Sequence, residues 1–279
     1  MRLVRVVTDS TADIPPELVD GLDIAVVPCY VVFGPESYRD GVELTKEQFY
    51  EKLASRPEIP TTATAPPAHY EAVYRRLAED TDTIVSIHLT ANLSGLYSAA
   101  SVAAQNVSKA RVVVIDSEQV TMGYGWMVVA AAEAAQRGAT PEQIVALVRG
   151  MVPRSRVLAA LGTLDFLHRG GRVDWVRATL GTFLRIKPII EVRMGKVQLV
   201  ERARTMERSL ERLIKLLQSL GPLERAIVLH TDAPDLAERV ADRLEALMPG
   251  WSRLITQAGV AIASHAGPGA VGVACVTAK

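Results

Sequence analysis

Thr83-Ile84-Val85-Ser86-Ile87-His88-Leu89 is a β-branched apolar run followed by Thr90-Ala91-Asn92-Leu93-Ser94-Gly95. A helical pattern then runs from Leu96 to Val107, and a second apolar run, Arg111 to Ile115, ends in Asp116-Ser117. Strand, helix and strand in immediate succession are the mark of a parallel α/β unit. The same alternation extends towards the amino terminus. Val4-Arg5-Val6-Val7 reads as a strand leading into Thr8-Asp9-Ser10-Thr11, and a helix starts near Pro16. Ile24 to Val32 reads as a second strand, and Thr45-Lys46-Glu47-Gln48 as a capping box that opens a helix through Leu53. Pro60-Thr61-Thr62-Ala63-Thr64-Ala65-Pro66 is a loop by composition, ahead of a helix from Tyr70 to Leu77. Beyond Ser117 come a helix from Tyr124 to Gln136 and a helix opened by Thr140-Pro141-Glu142-Gln143, with Pro at the first helical position.

The second half has a different pattern. Val157 to Thr163 predicts a strand entering a Gly-broken element at Leu164 to Arg172. Ile189 to Val200 alternates about Met194-Gly195, a hairpin signal. Helices are expected over Thr205–Leu217 and Pro234–Leu247, and strands over Arg225–His230, Leu254–Ala263 and Val271–Val276. Ser264-His265-Ala266-Gly267-Pro268-Gly269 falls between the last two strands, as a loop. The change of pattern places a domain boundary near Val152-Pro153, giving domains 1–152 and 153–279.

The 279 residues are 49% apolar and 22% charged, enough for a sizeable core and too apolar for low-complexity disorder. No apolar run approaches the ~18 residues of a membrane-spanning helix. Met1-Arg2-Leu3-Val4-Arg5 passes directly into a strand pattern, which leaves no room for a signal peptide and points to a cytoplasmic protein. Cys29 and Cys275 lie in separate apolar runs, against a disulfide framework or a zinc site. Net charge is zero but uneven. Residues 1–152 carry 12 Lys/Arg against 19 Asp/Glu, and residues 153–279 carry 19 against 12. The basic excess centres on residues 164–215, including Arg169, Arg172, Arg185, Lys187, Arg202 and Arg204. Without interleaved aromatic residues it does not argue for nucleic acid.

Nucleotide motifs are missing from the sequence. Gly267-x-Gly269-x-x-Gly272 has the dinucleotide spacing, but only seven residues follow, too few for the helix and second strand that motif requires. Ser94 sits between a strand and a helix start, where unpaired backbone N–H groups favour an anion, although by position alone a plain helix cap is the commoner role for such a serine. Thr61 and Thr62 offer hydroxyls from a separate loop, or bond their own backbone. His265 is flanked by small residues that permit close ligand approach. Ser94, His265 and a carboxylate such as Asp9 or Asp116 also have the composition of a hydrolase triad, although Ser94 is not in a nucleophile elbow.

Taken in order, these segments resemble the DegV family of bacterial fatty-acid-binding proteins. The resemblance rests on Val7-Thr8-Asp9-Ser10-Thr11-Ala12-Asp13-Ile14-Pro15, on Pro60 to Pro66, and on Leu93-Ser94-Gly95-Leu96-Tyr97-Ser98-Ala99-Ala100. It continues through Asp116-Ser117, Leu167-His168-Arg169-Gly170-Gly171-Arg172-Val173, Ile186-Lys187-Pro188-Ile189-Ile190 and His265-Ala266-Gly267-Pro268-Gly269-Ala270. It implies two α/β domains, the first with a mainly parallel sheet and the second with a mixed one, and a fatty acid between them. By the same resemblance Thr62, Ser94 and the Gly95 amide bind the carboxylate, with His265 close by. No cofactor is implied beyond the lipid itself. The implied partner is a fatty-acid kinase that phosphorylates the bound carboxylate, so the chain is expected to be a carrier subunit and not an enzyme. Arg169 and Arg172 are the expected docking residues for that kinase. Ala63, Thr64 and Leu96 replace the family's usual Ser, Gln and Thr, so the head-group network is expected to differ. A stand-alone hydrolase using Ser94 and His265 is the alternative.

Overall fold

The computed structural model describes residues 4–56, 58–173 and 186–279. Arg185, one of the basic residues singled out above, lies outside them, as do Met1, Arg2 and Leu3. Strands β1 (Arg5–Asp9), β2 (Ile24–Val27), β6 (Thr83–His88) and β7 (Arg111–Asp116) form a parallel sheet in the order β2-β1-β6-β7. This is the parallel α/β architecture expected from the Thr83 to Ile115 unit, whose helix is α3 (Leu96–Gln105). Two further helices precede β6 in the chain. α1 (Lys46–Ser55) begins with the expected capping box on Thr45 and Gln48, and α2 (Pro67–Leu77) begins with Pro in its first turn.

The second half forms a mixed sheet of β8 (Ser155–Ala160), β9 (Lys187–Arg193), β10 (Lys196–Ala203), β11 (Leu223–Thr231), β12 (Ile255–Gln257) and β13 (Ala270–Thr277). Its order is β10-β9-β8-β13-β11-β12, antiparallel except for the β11–β12 pair. The amphipathic helices α7 (Met206–Ser219) and α8 (Pro234–Leu247) cover one face through Leu210, Leu213, Leu217, Val240 and Leu244. Between the two sheets lies α4 (Met122–Gln136), in which thirteen residues from Met122 to Ala135 are buried. A helix apolar on every side belongs inside a core. Trp126 Nε1 donates to the Ala274 carbonyl of β13 at 3.2 Å, and the hydrophobic core runs without a break from Val6 and Ile84 to Ile227 and Ala274. α5 (Pro141–Met151) starts from a second capping box, on Thr140 and Gln143, and leads into β8.

Several local expectations are corrected. Ile24 to Val32 is not one strand: it breaks at Pro28, where the proline has no N–H to continue the ladder, into β2 and β3 (Tyr30–Phe33). β3 pairs antiparallel with β4 (Glu36–Arg39) and with β5 (Thr61–Ala63) in a small third sheet. The Pro60–Pro66 segment is therefore not wholly loop; pairing with a partner some thirty residues away organises it. Leu164 to Arg172 contains the short helix α6 (Asp165–Gly170), ended by Gly171 at φ 64°. Leu254 to Ala263 is not a single strand but β12 followed by α9 (Val260–Ala266). His265 is accordingly the penultimate residue of a helix, and not part of a loop.

Candidate functional site

Four elements converge between the sheets: β5, the loop from Leu89 to α3, α6 and α9. They surround a cavity of about 950 Å³, its mouth included. Leu161, Leu167, Val173, Ile190, Val192 and Val197 of the second half face Leu89, Leu93, Leu96 and Val120 of the first, making most of the wall apolar. The polar lining residues include Thr62, Thr64, Ser94, Arg172 and His265; Thr62 meets His265, and Thr64 lies against Gly95 beside Ser94, which makes this the polar end. An apolar enclosure with a few convergent polar groups is the usual anatomy of a small-molecule site.

The polar end is built from backbone geometry. Thr62 pairs through β5 with Val31 of β3, which fixes the strand carrying its hydroxyl. α9 starts at Gly259, ends at Gly267 with φ 71°, and brings His265 Nε2 within 2.8 Å of Thr62 Oγ1. Gly170 closes the other side of the imidazole: a Cβ there would stand 2.5 Å from His265 Nδ1, which is buried and has no hydrogen-bond partner among the described residues. Burial, with the Arg172 charge nearby, lowers the His265 pKa to about 4, so the ring is neutral near pH 7. Ser94 Oγ accepts from Leu96 N at a long 3.4 Å, leaving the hydroxyl proton uncommitted to the cap. Gly95, at the start of α3, presents its backbone next to Thr64, whose Oγ1 is 3.2 Å from the position of a Gly95 Cβ. Arg172 Nη1 donates to the Gly170 carbonyl at 2.6 Å, and its side chain borders the cavity. Thr62, Ser94, Gly95, His265 and Arg172 thus line one cavity, whereas Arg169 is exposed on α6 and outside the lining.

The carboxylates offered for a triad are committed elsewhere. Asp9 Oδ2 is 2.8 Å from His88 Nδ1, and its Oδ1 accepts from Thr11 Oγ1 at 2.5 Å and Tyr124 OH at 2.7 Å. Burial alone would raise the Asp9 pKa, but bonding and charge from His88, with Thr11 and Tyr124, hold it below the usual range. Asp116 accepts from Ala91 N and Glu118 N, tying two loops. Among the described residues no carboxylate engages His265 Nδ1, so the Ser94–His265 triad lacks the group that would orient its base.

Sequence reasoning passed over Thr11 and Cys29, which also line the cavity, and His88, which anchors Asp9. Their signal was the Asp-Ser-Thr turn after β1, but nothing in the chain order places residue 88 beneath it. A second junction lies at Asp13. Its Oδ1 accepts from Gly259 N at 3.0 Å and its Oδ2 from Thr121 Oγ1 at 2.6 Å, joining the amino-terminal turn to the starts of α9 and α4. Burial, opposed by the Thr121 bond and reinforced by the Asp40 charge, pushes the Asp13 carboxyl up to about 7.

A family profile described as "Uncharacterised protein, DegV family" matches residues 3–278. The chain belongs to the DegV family. A DegV domain-containing protein of Caldanaerobacter subterraneus subsp. tengcongensis is 35% identical over 276 residues, covering 98% of each chain. Two solved DegV structures superpose over nearly the whole molecule. One, from Thermus thermophilus and described by its fatty-acid binding, is 33% identical, with a TM-score of 0.91 and complete coverage of both chains. The other, Bacillus subtilis DegV, described as a fatty acid binding protein, is 32% identical, with a TM-score of 0.89, and covers 99% of this chain and 100% of its own. The two-domain DegV fold is shared. Among the described residues of this family member no helix is long and apolar enough to cross a membrane. No group of His, Cys, Asp and Glu among them is arranged to hold a metal ion.

Proposed function

We propose that this DegV-family chain, in domains 1–152 and 153–279, holds one unesterified long-chain fatty acid in the cavity between them. The observation that carries this reading is a cavity lining that is mostly apolar, with Thr62, Ser94 and His265 among its few polar residues. Its closest support from outside is the fatty-acid binding of the two DegV relatives above. Each buried methylene contributes roughly 0.8 kcal/mol, so a sixteen-carbon tail supplies on the order of 12 kcal/mol of gross transfer energy. Charge-assisted hydrogen bonds at the head add ~1.5–3 kcal/mol each. The tail holds the ligand, and the head sets its register.

At the polar end Thr62, Ser94 and the Gly95 amide donate to the carboxylate. The Thr62 hydroxyl has one proton. For that proton to reach the ligand, neutral His265 must donate from Nε2 to Thr62 Oγ1, which assigns the Nε2–H tautomer. His265 then acts through Thr62. The chain is a carrier: a partner fatty-acid kinase transfers the terminal phosphoryl group of ATP to a carboxylate oxygen, forming an acyl phosphate and ADP. Arg172 at the cavity rim, and Arg169 beside it on α6, are the docking residues, since guanidinium groups pair bidentately with acidic or phosphate groups.

Organic extraction and mass spectrometry of the purified protein test this. A stoichiometric intact fatty acid supports the carrier; a polar metabolite in its place, or turnover of an acyl ester that Ser94→Ala abolishes, defeats it.

A further inference from the structure

The loop that carries Ser94 and the wall of the cavity are tied together through the tip of the β9–β10 hairpin. β9 and β10 form a hairpin whose turn, Met194-Gly195, has φ 48° and 71°. Val192 and Val197 pair across this hairpin, and both line the cavity. The hairpin tip does not project into solvent. Gly195 N donates to the Glu118 carbonyl at 2.8 Å, and Asn92 Nδ2 donates to the Gly195 carbonyl at 3.2 Å. The approach is close on the side-chain side too: a Cβ on Gly195 would meet Asn92 Nδ2 at 2.5 Å and Thr90 Oγ1 at 3.0 Å. A left-handed residue with no room for a side chain accounts for the glycine.

Asn92 stands two residues before Ser94, in a loop also held by Thr90 N to the Gln119 carbonyl and by Ala91 N to Asp116. Those two bonds come from the first domain. The Asn92 bond comes from the second, and reaches the hairpin that continues into Val192 and Val197.

We infer that Asn92 is a positioning residue for carboxylate binding: clasped by the Gly195 carbonyl at the tip of the β9–β10 hairpin, it couples the apolar wall of the cavity to the placement of the Ser94 hydroxyl. The inference rests on the carboxylate lying at Ser94. A side-chain hydroxyl displaced by a fraction of an ångström forms a poor hydrogen bond, so loss of the clasp is read at the ligand head and not only in stability.

The test exchanges the lipid of the full-length protein for hexadecanoate labelled with ¹³C at the carboxyl. Affinity and the carboxyl resonance are then followed in the parent protein, Asn92→Ala, Asn92→Asp, Ser94→Ala and the Asn92→Ala/Ser94→Ala double variant. Asn92→Ala should weaken binding roughly fivefold to tenfold and move the bound carboxyl resonance towards its position in Ser94→Ala. The double variant should bind no more weakly than Ser94→Ala, because both changes act through one hydroxyl. Asn92→Asp keeps the shape but cannot donate from the second carboxyl oxygen when ionised; it should repeat the loss, and it carries the test if Asn92→Ala fails to fold. Additive losses, or a resonance unmoved by either Asn92 variant, overturn the clasp alone. A Ser94→Ala protein with parental affinity and resonance overturns the carboxylate placement, and the clasp with it.

Discussion

Replacing Asp13 by Asn should stabilise the protein, and by more than twice as much at pH 8 as at pH 5. In the folded chain the Asp13 carboxyl titrates at about 7, against a usual 3.8. Between those values the native state keeps a proton that the unfolded chain has released, so this group's contribution to stability falls as pH rises. Above pH 7 the full cost is present. Three units correspond to about 4 kcal/mol as an upper limit, at 1.36 kcal/mol per unit. Asp13 borders a second cleft, also lined by Asp40 and Lys46, and local solvation there reduces the cost to roughly 1–3 kcal/mol. Asn retains the geometry. Its oxygen accepts from Gly259 N, its amide donates to a rotated Thr121 hydroxyl, and Asn tolerates the left-handed φ of 53° at this position. Two other groups must be separated from the effect. Asp9, with a lowered pKa, contributes stability that is lost only as pH falls below the usual carboxylate range. His265, lowered from 6.5 to about 4, makes stability rise with pH across the window in which Asp13 makes it fall. The parent profile therefore mixes opposing slopes, and the informative quantity is variant minus parent. Thermal denaturation followed by circular dichroism from pH 5 to pH 8.5 should show a difference at pH 5 that is about two-fifths of the difference at pH 8, because the unfolded carboxyl is already ionised at pH 5. At pH 8 it should reach roughly +3 to +10 °C, at about 2–4 °C per kcal/mol for a chain of this size. A difference that is negative, or equal at both pH values, would refute the claim that a carboxylate is held here at a cost.

Two further outcomes concern the ligand. Ser94→Ala should weaken fatty-acid binding by ~1–3 kcal/mol, whereas shortening the ligand by four carbons should cost roughly 3 kcal/mol; titration calorimetry with a chain-length series checks the order, and indifference to chain length contradicts it. Arg169→Glu, outside the cavity lining, should leave bound lipid and melting temperature near parental values while acyl-phosphate formation with a cognate kinase falls sharply, an effect imitated by salt in the parent protein, whereas Arg172→Glu, inside the lining, should also weaken lipid retention. Full turnover by a stable, loaded Arg169→Glu variant removes Arg169 from the docking surface.

The polar end of the cavity was legible in part because its residues sit at element boundaries with strong local signatures. Ser94 and Gly95 follow a buried strand and open a helix, and the Thr-rich segment at 61–64 stands out by composition alone. His265 was singled out for its small neighbours, but its place on a helix was missed, since seven residues at Val260–Ala266 carry too short a period to distinguish a helix from a strand. His88 was passed over for a related reason: inside an ordinary strand pattern, nothing local marks a histidine whose partner is seventy-nine residues away.

What the chain order determined by itself was the strand–helix–strand unit of residues 83–116, the two capping boxes, and the hairpin at Met194-Gly195. Each depends on interactions within a few residues, where capping hydrogen bonds, apolar periodicity and left-handed turns leave a direct trace in residue type. The tertiary structure alone decided the third sheet, the burial of α4 between the two larger sheets, the pairing of Asp9 with His88, and the meeting of Thr62 with a histidine more than two hundred residues later. Those contacts arise when apolar faces are removed from water together, a non-directional drive that any similar set of apolar residues supplies. Which polar groups then face one another is settled by the packing of whole elements, and no single stretch of sequence carries that information.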